Sequence, residues 1–247
     1  MSLSFTLDGG AGARARFGLI VLQNDETMEP ELAPMFSQPG VALYHSRIPS
    51  GLEVTPETLM RMKAELPHVA SLLPSASPLN VVGYGCTSGA TIIGQELVSV
   101  LIRQVHPDVL VTDPITAVLA ATAHLGIGRI GFITPYVADV SEAMRDLLQR
   151  NGLAITAFAS FEQAEEATVA RITGDSLLQA ICDMAGSAEM DAVFVSCTNL
   201  RSLSVIAEAE ARTGKPVLSS NQVLGWHMLH LAGMEAAGNR AGALFGG

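Results

Sequence analysis

Two Cys-Thr dipeptides carry the chemistry for which this sequence of 247 residues is best equipped. Cys86-Thr87-Ser88-Gly89 and Cys197-Thr198-Asn199 each follow a short apolar run and each stand ahead of a helical pattern. A thiol in that place lies at the carboxyl end of a parallel strand, where open α/β folds bind their ligands. The start of the following helix supplies unpaired N–H groups and partial positive charge, which favour a thiolate and offer donors to a substrate carboxylate. The small neighbours Thr87, Ser88 and Thr198 let backbone amides approach an anion closely. An inert buried thiol is the ordinary alternative for any single cysteine. Repetition of the dipeptide argues against it for this pair, whereas Cys182, inside a helical run at 178–184, reads as packing.

Asn24 and Tyr136 each follow the first strand of one half of the chain and are expected to project into the same cleft. An amide and a phenol can hydrogen-bond a carboxylate or a developing oxyanion without adding a charge that would collapse a thiolate. A turn asparagine and a half-buried tyrosine are the plainer alternative. The six histidines suggest no metal site: His227 and His230 lie three apart in one apolar helix, without HExxH or a carboxylate at ligand spacing. Gly83-Tyr-Gly-Cys-Thr-Ser-Gly fits neither GxSxG, GxGxxG nor a phosphate-binding P-loop. The expectation is chemistry without metal or cofactor.

The elements that must position these residues alternate along the chain. Strands are expected over 17–22, 79–84, 129–134, 153–158 and 191–195, with weaker ones at 109–111 and 216–218. Helical spacing of apolar residues covers 56–72, 89–104, 116–124, 137–149, 175–185 and 202–213. Strands apolar on both faces and separated by helices imply parallel sheets covered on both sides, a doubly wound α/β class. The chain also repeats itself. Gly18 and Gly131, Gly40 and Gly152, and Cys86 and Cys197 pair at a nearly constant offset of about 112 positions. Two similar lobes facing one another are therefore expected, one over 17–113 with 221–247 and one over 114–220, after a Gly/Ala-rich, loosely ordered tail at 1–16.

Composition narrows the partners. Apolar residues make up 49% and charged residues 15%, and 24 Asp and Glu against 14 Lys and Arg give a net charge of −10. A chain this acidic, without a basic patch interleaved with aromatics, does not suit nucleic acid. No apolar run reaches the roughly 18 residues of a membrane span, and no secretion signal is visible. Three cysteines without a CxxC pair fit a reducing cytoplasm, and the apolar content fits a homo-oligomer. A small molecule is the expected partner.

With Gly18-Leu-Ile-Val-Leu-Gln-Asn-Asp-Glu-Thr-Met-Glu, Gly85-Cys-Thr-Ser-Gly-Ala, Thr134-Pro-Tyr and Val195-Ser-Cys-Thr-Asn-Leu, the chain resembles the Asp/Glu racemase superfamily. Within it the likeness is to the maleate cis-trans isomerase and arylmalonate decarboxylase branch, and it covers nearly everything from Phe17 onward. The resemblance implies two flavodoxin-like lobes related by a pseudo-twofold axis, with one cysteine from each lobe facing opposite sides of a small carboxylate. Cys86 and Cys197 take those places, Asn24 and Tyr136 those of the carboxylate-binding pair, and Thr87, Ser88 and Thr198 those of the surrounding donors. In the isomerases so resembled, one cysteine adds to the alkene and the other moves the proton. The decarboxylases keep only the second-lobe cysteine, since one proton on one face suffices for them. The presence of both thiols disfavours a decarboxylase.

One departure concerns the second carboxylate. Where the isomerases carry an asparagine, this chain offers Glu165 or Glu166, a charge that repels a dicarboxylate and favours an ammonium or amidine. A solvated helical face is the alternative. Proteins of similar appearance also occur in ectoine and hydroxyectoine utilisation, where a racemase or isomerase of an amino-acid derivative fits. A non-catalytic sensor of a small carboxylate is the rival from another class. Iodoacetamide labelling at neutral pH separates them, because a catalytic pair contains a ligand-protected reactive thiol and a mere sensor does not.

Overall fold

Parallel strands and covering helices alternate twice in the same order. The computed structural model describes residues 1–236 and 242–246, so part of the expected C-terminal return to the first lobe, 237–241 and 247, lies outside the described residues. The first sheet has β1 (Ala15–Leu22), β2 (Val41–Ile48), β3 (Val81–Gly85) and β4 (Leu110–Thr112) in the order β2-β1-β3-β4. The second has β5 (Arg129–Thr134), β6 (Ala154–Ser160), β7 (Ala192–Val195) and β8 (Val217–Ser219) in the order β6-β5-β7-β8. Every pairing within both sheets is parallel. The sequence repeat is thus a repeat of topology, and the α/β, two-lobed fold class is what the molecule has.

The central strands are buried on both faces because helices cover both. Phe17, Leu19 and Val21 pack towards α1 (Met28–Leu32), the short 3-10 turn Ala33–Phe36 and α10 (Ser220–Leu231), while Ile20 and Leu22 join Leu59, Met62 and Leu66 of α2 (Pro56–Ser71). In the second lobe Phe132 and Phe194 stack with centroids 5.8 Å apart. The paired glycines have one cause. A Cβ at Gly18 would stand 2.7 Å from Leu73, and one at Gly131 would stand 2.7 Å from both Met184 and Met190, so each central strand needs glycine where a neighbouring side chain crosses it closely.

Two places differ from the expected element map. The single helix expected over 89–104 is two, α3 (Thr87–Ile93) and α4 (Gln95–Arg103), because Gly94 between them has φ of +93°. The half-exposed edge strand β2 and the short α1 are additional elements. The segment after Cys197 follows the map, since the helix expected over 202–213 begins at Leu203, and the turn it leaves before that helix bears on the site. The rest of the helical layer is α5 (Pro114–Leu125), α6 (Ala138–Arg150), the short α7 (Glu166–Val169), α8 (Gly174–Ser187) and α9 (Leu203–Thr213). Among the described residues, no helix is long and apolar enough to cross a membrane.

Candidate active site

The two cysteines end matching strands but sit in unlike turns. Cys86 caps α3: its Sγ accepts the Gly89 N–H at 3.1 Å and lies 3.6 Å from Ser88 Oγ. Gly89 is required there, since a Cβ would come within 2.9 Å of Cys86 Sγ and closer still to Tyr84 Oη. Cys197 does not start a helix, contrary to the sequence expectation. After β7 the chain makes a turn through Thr198 and Asn199, and α9 begins only at Leu203. Cys197 Sγ instead accepts the Asn199 N–H at 3.3 Å, and the Tyr136 phenol acts on it as well. One hydroxyl ties the two turns together. Ser220 Oγ accepts the Thr87 hydroxyl at 2.9 Å and the Cys197 N–H at 3.0 Å.

Asn199 fastens the lobes across the site. Its Oδ1 accepts the Glu26 N–H at 2.9 Å, its carbonyl accepts the Thr27 hydroxyl at 3.0 Å, and its Nδ2 donates to Glu166 Oε2 at 2.8 Å. A second seam roofs the cleft, where the Val54 N–H reaches the Ala164 carbonyl at 3.0 Å and the Glu166 N–H reaches the Leu52 carbonyl at 3.1 Å. Beside this seam lies a cavity of about 460 Å³ lined by Asn24, Glu26, Leu52, Glu53, Glu165 and Glu166, among others. The expected open cleft is therefore closed over its thiols, and Cys86 and Cys197 are each 1% exposed.

That closure reverses the expected thiol acidity. Burial pushes the Cys86 thiol up to about 12, although Ser88 and the Gly89 amide pull the other way. Burial also holds Cys197 well above its ordinary range, against the pull of Tyr136 and the Asn199 amide. Glu166 and Asp25 add to both shifts, since a thiolate near a carboxylate is repelled. The carboxylates are displaced as well. Burial raises Glu166 to about 7, with the Asn199 amide opposing, and burial raises Asp25 against the Met28 and Thr27 amides that it caps. Both thiols are neutral in this closed state, and the thiolate expectation is corrected: a few N–H donors do not offset desolvation plus two carboxylates.

The named residues divide as follows. Tyr136, 3% exposed, feels both cysteines, Cys197 more than Cys86. Ser88 lies beside Cys86, and Thr198 faces Asp25. Thr87 is buried beside Cys86 with its hydroxyl committed to Ser220. Asn24 is at the cavity rim, its amide donating to the Ser50 and Gly51 carbonyls at 3.2 and 3.1 Å. Of the two candidate glutamates, Glu166 turns inward at 3% exposure, and Glu165 is exposed and accepts from Thr168. Asp25, Asn199 as a lobe connector, and Ser220 were missed. Asp25 followed by Thr27 and Met28 has the look of a residue capping the next turn, which was the available signal; the cross-lobe bonds of Asn199 and Ser220 leave none in the sequence.

Comparison with known proteins supports the same grouping. The arylmalonate decarboxylase family profile matches residues 51–245. A maleate isomerase from Nocardia farcinica is 26% identical over 93% of this chain and 94% of its own. Arylmalonate decarboxylase from Bordetella bronchiseptica is 33% identical over 48% of this chain and 50% of its own. A maleate isomerase from Pseudomonas putida S16, crystallised with maleate as a Cys-to-Ala variant, superposes with a TM-score of 0.85 at 25% identity, covering 94% of this chain and 98% of that one. With a profile that spans most of its length and a shared two-lobed fold, the chain belongs to the arylmalonate decarboxylase family, in the branch it shares with the maleate isomerases.

Proposed function

We propose that the protein is a cofactor-independent isomerase of a small carboxylate, working through Cys86 and Cys197. The observation that carries this reading is convergence: thiols from the two halves of a duplicated chain are both buried, their turns share the Ser220 hydroxyl, and Tyr136 is under the influence of both. The similarity to maleate isomerases supports it. In such a site the Cys86 thiolate adds to one alkene carbon, and the π pair moves to the neighbouring carbon and takes the proton of Cys197. The new single bond rotates. Cys197 then removes the proton, the trans alkene re-forms, and the electrons of the S–C bond return to Cys86. On a saturated stereocentre the same pair acts as base and acid from opposite faces. Ser88, Thr198, Tyr136, Asn24 and the backbone around Thr87 are the donors to the carboxylate in this reading. A homo-oligomer in the cytoplasm completes it.

Glu166 argues for a substrate other than maleate. Two unit charges about 5 Å apart at an effective dielectric near 20 repel by roughly 3 kcal/mol, or about a hundredfold in preference. Incubation in D₂O with maleate, arylmalonates and amino-acid derivatives, followed by NMR, tests the activity: interconversion with deuterium entering at one carbon is expected for a member of the panel. Poor wild-type turnover of maleate that improves in Glu166→Asn is the expected sign of the repulsion. Strong maleate turnover unchanged by the substitution refutes it.

A second reading, a non-catalytic sensor of a small carboxylate, is favoured by the neutral state of both buried thiols. Absence of turnover or deuterium exchange across the panel, together with thiols inert to iodoacetamide, decides for the sensor.

A further inference from the structure

We propose that Asp25 and Glu166 form a seat for a cationic nitrogen of the ligand, an ammonium or amidinium, and that Asp25 is a specificity-determining residue of this site. The seat rests on the reading above only in taking this pocket as the ligand site; it does not require turnover.

Asp25 follows β1 and is 2% exposed. Its Oδ1 is fully occupied, accepting the Thr27 and Met28 N–H groups at 2.8 Å each. Its Oδ2 is buried with no hydrogen-bond partner among the described residues, although Thr198 faces the group. A buried carboxylate oxygen left in this condition is an acceptor in want of a donor. Glu166 comes to the same place from the other lobe. Asn199 holds its Oε2, and the residue lines the inter-lobe cavity. Asn199 joins the two carboxylates, since its Oδ1 accepts the N–H of Glu26, next to Asp25, while its Nδ2 holds Glu166, and Asp25 and Glu166 are near enough to act on one another and on both thiols.

Among the described residues, no basic side chain forms an ion pair with either carboxylate. Arg47, which acts on Asp25 from outside, commits its guanidinium to the carbonyls of Leu22, Gln23 and Asp25 and to the Glu29 carboxylate. Arg171 pairs with Glu26. Two buried carboxylates without an internal counter-ion are complementary to positive charge on a ligand and hostile to a second anion. An ammonium has three donors and no acceptor, enough to serve Asp25 Oδ2 and Glu166 together. The seat also eases ionisation of the thiols by removing the part of the penalty that adds to burial. A cation between the carboxylates cancels the repulsion that they exert on thiolates at Cys86 and Cys197, so ionisation is favoured when the matching ligand is present.

The test uses three probes of one chain length that carry a carboxylate at one end and differ at the other: 4-aminobutyrate, pentanoate and glutarate. Calorimetric titration is carried out on the full chain with both Cys86 and Cys197 replaced by alanine, so that binding is read without turnover. The expected order is 4-aminobutyrate tightest and glutarate weakest. Asp25→Asn keeps the Oδ1 acceptor that holds Thr27 and Met28, so its fold is retained. It is expected to weaken 4-aminobutyrate by about tenfold or more, leave pentanoate nearly unchanged and strengthen glutarate. Glu166→Gln, which keeps the bond from Asn199, is expected to move the order in the same direction and stands in should the Asp25 variant misfold. Glutarate or pentanoate binding as well as 4-aminobutyrate, or no binding of 4-aminobutyrate, overturns the seat. Failure of the catalytic reading is distinct: it is loss of all turnover in the wild-type chain with this binding order intact.

Discussion

The Cys86 and Cys197 turns occupy equivalent places in the two sheets, yet they are held in opposite ways. Cys86 is secured locally, by the helix that it caps, by Ser88 beside it and by a glycine that leaves room for its sulfur. Cys197 has no helix behind it and is secured from a distance, by Tyr136 of the preceding strand connection and by Asn199, which is itself bonded to the other lobe. Duplication preserved the strand that delivers each thiol and let the setting diverge. A thiol fixed by its own helix keeps its geometry whether or not the lobes move, which suits the group that forms a bond to carbon. A thiol placed by cross-lobe contacts is set only when the site is closed, which suits proton transfer to a carbon already in position.

The largest expected effect follows from that division of labour. Cys86→Ala and Cys197→Ala are each expected to abolish turnover while leaving the fold intact, as checked by steady-state rates and circular dichroism, and Cys182→Ala is expected to retain activity. The comparison breaks if Cys86→Ala keeps the full rate and Cys197→Ala is dead, because a single proton delivered to one face then accounts for the chemistry.

The carboxylates behind the Cys197 turn are expected to leave a mark on stability. Glu166 has an ordinary carboxyl pKa in the unfolded chain and one raised to about 7 in the folded protein, so between about pH 4.5 and 7 the folded form keeps a proton that the unfolded form has lost. Stability therefore falls as pH rises through that window, by about 3 kcal/mol for this group once pH exceeds 7. Urea denaturation at pH 5 and 8 is expected to show a drop that Glu166→Gln reduces by that amount. Part of the drop remains, because Glu31, which accepts from the Leu203 N–H and Asn221, is raised to about 7 by the same cause, burial. A drop unchanged in Glu166→Gln would mean that Glu166 is solvated and not part of the closed site.

These features mark where the sequence was readable. Strand positions, the repeat and the cysteine pair were legible because burial on both faces leaves an unbroken apolar run and close packing leaves a fixed glycine, as at Gly18 and Gly131. β2 left no sign beyond Gly40 of the repeat, since an edge strand that mixes Tyr44, His45 and Arg47 has no clean period. Gly94 was hidden inside a continuous helical pattern, where a glycine signals neither break nor continuation by itself. The thiol acidity was misread for a deeper reason. The helix N-terminus is a local feature, but the sign of the shift is set by burial, to which Glu166 and Asp25, gathered around the thiols by tertiary folding, add.

Tyrosines sharpen the comparison at a smaller scale, since each thiol has one. Tyr136 acts on both Cys197 and Cys86, whereas Tyr84, on the strand leading to Cys86, acts on that thiol and has its hydroxyl 3.8 Å from Met62 Sδ. Tyr136→Phe removes a hydrogen bond to a group that carries charge during turnover, about 1.5 to 3 kcal/mol, and is expected to lower kcat/KM roughly tenfold to a hundredfold. Tyr84→Phe is expected to cost less in rate than in stability. A change below twofold for Tyr136→Phe in kcat/KM would place that phenol outside the reaction.

The smallest expected effect probes the one atom shared by the two turns. Ser220 Oγ accepts from Thr87 and from the Cys197 amide, so it fixes the two strand ends relative to each other without touching either sulfur. Ser220→Ala leaves a buried hydroxyl and a buried N–H without their acceptor, for a loss of about 1 to 2 kcal/mol. If the two turns act as one unit, that loss is shared: combining Ser220→Ala with Thr87→Val should cost less than the sum of the single changes, with a coupling of about 0.5 kcal/mol or more in a double-mutant cycle on denaturation. The rate should fall with it by a few fold, in kcat more than in KM, because the thiols lose alignment and the ligand keeps its donors. Additive losses, with kcat unchanged, would show that each turn is positioned by its own lobe alone and that the asymmetry between them has no bearing on catalysis.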